Sequence, residues 1–186
     1  ALSRSVNIPA VSLLQEVGVS SAKAYAEKAG LVFDPRDDSL ALALGGFTQG
    51  VSPLSLAGAY TAFADDGTAH ATALVRKITD ASGTVLYERK ENGTRVFSAE
   101  TTFMINDILN DAAQEGSARA LAEAGISLSG KTGTVAYESS AGEGVRDVWA
   151  AAYNSDYVGV CWMGFDTTAD SHHLPSTASG GKYAAP

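Results

Sequence analysis

Ser129-Gly130-Lys131-Thr132-Gly133-Thr134 opens the apolar C-terminal part of this chain, and its reading decides the fold. A lysine set among hydroxyl residues and glycines at the start of a strand suits the capture of a peptide carboxylate beside an open sheet edge. Lys131 offers positive charge, Thr132 and Thr134 offer hydroxyl donors, and Gly133 lets a second backbone come close. From there the pattern is strand-like over Ile126–Val135, Val145–Tyr153 and Tyr157–Phe165. The turn residues Asn154-Ser155-Asp156 predict an antiparallel hairpin between the last two. Their cores, Val148–Ala152 and Val158–Met163, are almost wholly apolar, which predicts a sheet covered on both faces. Cys161, Trp149 and Trp162 fall in these runs and are expected in the core.

Upstream, the period is helical. Asn7-Ile8-Pro9 reads as a helix entry, followed by Val11, Leu14 and Val17 at helical spacing, with Gly18 as the stop. Ser20-Ser21 is expected to cap a helix over Ala22–Ala29. Ser52-Pro53 starts another that puts Leu56, Ala59, Tyr60 and Phe63 on one face. Ala73–Thr79 and Thr84–Arg89 form a predicted hairpin through Asp80-Ala81-Ser82-Gly83. Asn92-Gly93 is a second turn, and the sequon it forms with Thr94 is read as a turn. Ser98 caps a helix carrying Phe103, Met104, Ile108 and Leu109, and a shorter one near Ala118–Ala124 ends at Gly125. Helices followed by an antiparallel sheet give an α+β class.

The chain has 186 residues, 45% of them hydrophobic, so it can bury a core within one domain. A net charge of −8 argues against nucleic acid and against an anionic membrane surface as partners. A single cysteine excludes an internal disulfide and a cysteine-based zinc cluster. His172-His173 lacks carboxylate or cysteine partners at ligand spacing and reads as a solvated loop, so no metal is expected. No apolar run reaches the length of a membrane span. Ala1–Ser5 reads as the interior of an ordered domain and Tyr183–Pro186 has no polar tail, so a longer parent chain is expected. Glu138–Gly144 fits no regular pattern and is expected to be a mobile flap beside the site.

Three segments now stand in one order: Ser5-Val6-Asn7 before a helix, Lys131-Thr132-Gly133 opening a strand, and Arg146-Asp147-Val148-Trp149 opening the next. Together they resemble the transpeptidase domain of high-molecular-weight penicillin-binding proteins, above all the bifunctional class that also carries a glycosyltransferase. Leu42–Leu54 resembles that family's glycine-rich turn and following helix. Ser179–Pro186 resembles the segment before its last helix. The resemblance implies the penicillin-binding and serine β-lactamase-like α+β fold, present in part. Residues 1–186 would be the C-terminal part of one such domain, without the upstream Ser-x-x-Lys segment and the final helix.

The same resemblance implies roles for individual residues. Ser5 would shuttle a proton to the departing D-alanine nitrogen. Asn7 would hold the lysine of the Ser-x-x-Lys motif and the substrate amide, and Lys131 would support the network electrostatically. Thr132 and Thr134 would bind the substrate carboxylate along the strand that Gly133 keeps open, and the Thr134 N–H would supply half of an oxyanion hole. Implied partners are a D-Ala-D-Ala stem peptide, β-lactam antibiotics and the remainder of the parent chain, with no cofactor. The implied place is the outer face of a bacterial cell membrane, with the anchor outside this chain.

Plainer readings compete with each motif. Ser5-Val6-Asn7 alone is a helix cap, and Lys131 alone is a strand-edge charge that discourages aggregation. Ser20-Ser21-Ala22-Lys23 has the form of the nucleophile motif, but it follows Ser5-Val6-Asn7 and opens an alanine-rich helix. It reads as a capped surface helix, which leaves the nucleophile outside the chain and the chain alone inactive. The sequence leaves open a D,D-carboxypeptidase or β-lactamase of the same fold, and a sensor or scaffold that binds β-lactam without turnover.

Overall fold

The computed structural model describes residues 1–90, 92–139, 142–169 and 171–186. A 3-10 turn, Leu2–Arg4, leads into α1 (Asn7–Val17), and α2 (Val19–Lys28) follows after one residue. Gly18 makes that possible. At φ 89° it closes α1 through its N–H on the Leu14 carbonyl and starts α2 at once. The expected Ser20-Ser21 cap is therefore corrected: both serines lie inside the first turn of α2. A 3-10 stretch, Leu40–Leu44, precedes α3 (Pro53–Ala64), where the Ser52 hydroxyl accepts the Ser55 N–H at 3.1 Å and proline occupies the first turn.

Beyond α3 the chain forms two small antiparallel ribbons. One pairs β1 (Thr68–His70) with β4 (Gly93–Arg95), and the other is the expected hairpin of β2 (Lys77–Thr79) and β3 (Val85–Glu88). Then α4 (Ala99–Gln114) begins at Ser98, whose hydroxyl accepts the Thr101 N–H. Its inward face is built mostly of small residues. Phe103 and Met104 are exposed, whereas Thr102, Leu109, Ala112 and Ala113 are buried. Small residues let this helix pack close to its neighbours, and close packing chose the face over side-chain size.

After the 3-10 turn Arg119–Ala124 comes the main sheet, in the order β5 (Ser129–Ser139), β6 (Gly142–Tyr153) and β7 (Val158–Gly164), all antiparallel. Lys131 faces Ala151, Gly133 faces Trp149, and Trp149 faces Trp162. One sheet face carries Trp149 packed on Trp162, and Tyr153 against Tyr60 of α3. Burial pushes the Tyr60 hydroxyl up to about 12. The opposite face carries Val148 and Ala150, packed with Leu121, Ala178, Ala184 and Ala185.

Two expectations about this sheet are corrected. Burial on both faces holds for the central strand β6 but not for β7, whose positions alternate between half-buried and exposed. Cys161 falls on the exposed set, and Trp149 and Trp162 are half-buried. A continuous apolar run does not separate a central strand from an edge strand. The expected flap at Glu138–Gly144 is instead the far end of the β5–β6 ladder, with Glu138 opposite Glu143 and Ser139 opposite Gly142. Residues 140 and 141 of that stretch lie outside the described residues.

Candidate active site

The site is built where the first turn of the chain meets the edge of the sheet. Ser5 follows the Leu2–Arg4 turn in the left-handed region, at φ 53° and ψ 46°. A serine is held there only when its surroundings over-determine it. Its N–H bonds to the Leu2 carbonyl at 3.1 Å, and its hydroxyl oxygen accepts the Lys131 ammonium at 2.7 Å. The two residues are 126 positions apart. A second Lys131 N–H goes to the Thr132 carbonyl, also at 2.7 Å. Burial lowers the Lys131 pKa from the ordinary lysine value, because the ammonium is partly stripped of water.

What carries Ser5 to this place is a close crossing that the sequence reading missed. The Ser117 N–H donates to the Ser3 carbonyl at 3.0 Å. At Gly116 a β-carbon would overlap the Ser3 carbonyl oxygen and stand 2.7 Å from Ala112 Cα. Only glycine allows the end of α4 to touch the Leu2–Arg4 turn. The Ser117 hydroxyl in turn accepts that of Thr132 at 3.0 Å. Gly116-Ser117 thus ties Ser3, the neighbour of the Ser5 turn, to the Lys131 strand. A glycine followed by a serine just past a helix is ordinary stop chemistry, so its second role is invisible in the sequence.

The expected residues divide between two sides of β5. Lys131 and Gly133 share one side, where Trp149 lies 3.2 Å from the point a Gly133 β-carbon would occupy. Thr132 is buried on the other side against Ser117, and Thr134 there accepts the Gly180 N–H at 3.1 Å. Ser5 and Lys131 are therefore in contact, while the two threonine hydroxyls face the segment around Gly180. Asn7 begins α1 two residues after Ser5. Its amide is exposed and unpaired among the described residues. Because β5 is an edge strand, alternate backbone groups along it face away from β6.

A cleft of about 630 Å³ opens on the Trp149 side of the sheet. Its walls include Phe47, Gln49 and Val51 from the glycine-rich turn, and Val135, Trp149 and Trp162 from the sheet. The buried Asp147 carboxylate fixes one wall, accepting from Arg146 at 2.9 Å and from the Trp149 indole at 2.8 Å. On the turn, the buried Asp37 carboxylate accepts the Thr48 N–H at 2.7 Å and the Thr48 hydroxyl at 2.6 Å.

The lookalike motif at Ser20–Lys23 is used differently. Ser20 is exposed in α2, and the Lys23 ammonium donates to the Asp37 carbonyl at 2.8 Å, over the Phe33 ring. His173 stacks on Tyr137 and bonds through Nδ1 to the Leu174 carbonyl, a packing role.

The family described as the penicillin-binding protein transpeptidase domain matches this chain over residues 1–186. Penicillin-binding protein 1F of Bacillus subtilis is 39% identical over 179 residues, covering 96% of this chain and 24% of its own length. The chain thus spans about a quarter of that relative. Among solved structures, penicillin-binding protein 1A of Haemophilus influenzae superposes with a TM-score of 0.79 at 24% identity, over 97% of this chain and 31% of that one. The PonA1 protein of Mycobacterium tuberculosis in complex with penicillin V superposes with a TM-score of 0.75 at 19% identity, over 92% and 49%. These two likenesses carry the fold.

Proposed function

The chain belongs to the penicillin-binding protein transpeptidase domain family, and from that premise we propose that it is the C-terminal part of a peptidoglycan D,D-transpeptidase domain. The nucleophilic serine and the last helix belong to other segments of the parent protein. The single observation that carries this reading is the 2.7 Å bond from Lys131 to Ser5 across 126 residues. Acyl transfer from a D-Ala-D-Ala stem peptide requires a proton for the departing D-alanine nitrogen. The Ser5 oxygen already accepts from Lys131, so its own hydrogen is free to go to that nitrogen. A partly desolvated ammonium with a lowered pKa replaces it readily.

The remaining groups fit the peptide. An extended stem peptide adds along the open edge of β5, and Asn7, exposed at the start of α1, is assigned to its amide. The Thr134 hydroxyl accepts from Gly180 and keeps its hydrogen for the terminal carboxylate. Thr132, turned toward Ser117, is a positioning residue in this reading. The 630 Å³ cleft on the Lys131 side of the sheet leaves room for the segment bearing the nucleophile. β-Lactams present the same acyl chemistry and acylate the same serine. The protein works on the outer face of a bacterial cell membrane, anchored by a segment elsewhere in the parent, and residues 1–186 alone do not turn over substrate.

Acylation kinetics of the full-length protein with a fluorescent penicillin test the proposal. Lys131→Met and Ser5→Ala should each slow covalent labelling by about 100-fold, the range removed with a general acid–base group. Labelling at the wild-type rate in both variants would dismiss the assigned network.

A further inference from the structure

Away from the Lys131 site the charge is unevenly placed. The chain is strongly acidic, at −8, yet one depression at the root of the β2–β3 ribbon gathers Lys28, His70 and Arg89. Two hollows of about 190 and 270 Å³ meet there, sharing His70, Ala71 and Asn92.

The polar side chains of the depression are held in place. Arg89 donates to the Thr72 carbonyl at 3.0 Å and to the Ala71 carbonyl at 2.8 Å, which among the described residues leaves about three of its five N–H groups for another acceptor. His70 is pinned by its backbone N–H on the Thr61 hydroxyl and by Nε2 against the Asp65 carboxylate, both at 2.7 Å. Lys28 stands at the rim, over the Tyr25 ring. Between them the wall is made of small residues, Ala71 and the buried Gly58 and Ala69, with the hydroxyl residues Ser55, Thr72 and Thr94 beside them, which leaves room for a methyl group. Asn92 adds an amide that can meet a peptide group.

We propose that this depression is a second, non-catalytic binding site for the alanyl carboxylate of a wall stem peptide. The carboxylate sits on Arg89 and Lys28, a geometry that a guanidinium fork favours. The methyl lies on the alanine wall, and the preceding peptide group meets Asn92. The identity of the ligand rests on the transpeptidase reading, whereas the preference for a small oxyanion rests only on the charges and walls. Such a site would hold the enzyme on peptide-rich wall without occupying the reacting centre.

The test uses full-length protein whose nucleophile has been blocked by penicillin, so that residual binding reports the second site. Equilibrium dialysis with labelled acetyl-D-alanyl-D-alanine should then show about one equivalent bound. That binding should weaken at least tenfold with Lys28→Glu, with Arg89→Gln, and when the dipeptide is capped as its amide. Lys28→Glu is a surface change that keeps the fold if Arg89→Gln, which also frees two carbonyls, does not. No residual binding, or binding untouched by Lys28→Glu, overturns the proposal. Retention of inorganic phosphate but not of the dipeptide also overturns it, since the site would then read phosphate. If penicillin fails to acylate the protein, the transpeptidase reading fails by itself, and the same titration on untreated protein with Lys28→Glu still decides the cleft.

Discussion

Replacing Gly116 with alanine should disable the site from a position that touches no substrate. The added β-carbon would stand 2.7 Å from Ala112 Cα and 2.9 Å from the Ala112 oxygen, and would overlap the Ser3 carbonyl oxygen. A carbon settles no closer than about 3.3 Å to a carbonyl oxygen, so the Leu2–Arg4 turn has to retreat by roughly 1 Å. Ser5 ends that turn. A retreat of that size takes its hydroxyl from 2.7 Å to beyond bonding distance of Lys131. It also breaks the Ser117-to-Ser3 bond. One neutral and one charge-assisted hydrogen bond together imply a stability loss of about 2–4 kcal/mol. A 1 Å misplacement of a reacting group costs about 100-fold in rate. Urea unfolding and stopped-flow penicillin acylation of the full-length Gly116→Ala protein measure both. Acylation within a factor of three of wild type would refute the reasoning, because the crossing would then not be what positions Ser5.

Three further outcomes are expected. Gly180→Ala puts a β-carbon 2.6 Å from the Gly133 oxygen and 3.0 Å from Thr132 Cβ, so overpacking should cost about 1–3 kcal/mol in chemical denaturation. Lys131 has a folded pKa below its unfolded one. Between the two the unfolded chain binds more protons, so this group makes stability rise with pH in the alkaline window below its unfolded value near 10.4. Lys131→Met should remove that rise, and an unchanged alkaline slope in denaturation against pH would count against the burial of the charge. Asp37 has a linkage of the same sign from a different cause: the Thr48 hydroxyl and N–H hold its carboxyl below the usual range. Its contribution is present above the ordinary carboxylate pKa near 3.9 and lost as pH falls through the lowered one. Asp37→Asn should flatten acid denaturation in that window, and an identical acid profile would show that the Thr48 clamp is dispensable.

Much of the frame was readable because local chemistry and tertiary structure agree. Ser52-Pro53 and Ser98 cap the helices they were expected to cap, and Asp80–Gly83 turns the hairpin. Where packing overrides size or period, the reading failed. Cys161 lies on an edge strand that an apolar run makes look central, and Trp149 and Trp162, expected in the core, are only half-buried. At the site, motif order placed Ser5 and Lys131 together. Strand alternation sends Thr132 and Thr134 to the other side of the sheet from Lys131, which a motif written as a string does not express. The Gly116-Ser117 crossing left no signal, since its meaning comes from a carbonyl more than a hundred residues away.

The decisive fact is where the acyl group lands. Full-length protein saturated with a labelled penicillin, digested and mapped by mass spectrometry, gives the answer directly. The predicted result is one adduct on the serine of a Ser-x-x-Lys segment outside residues 1–186, unaffected by Ser20→Ala. An adduct on Ser20, on Ser5 or on any other serine of this chain would contradict it.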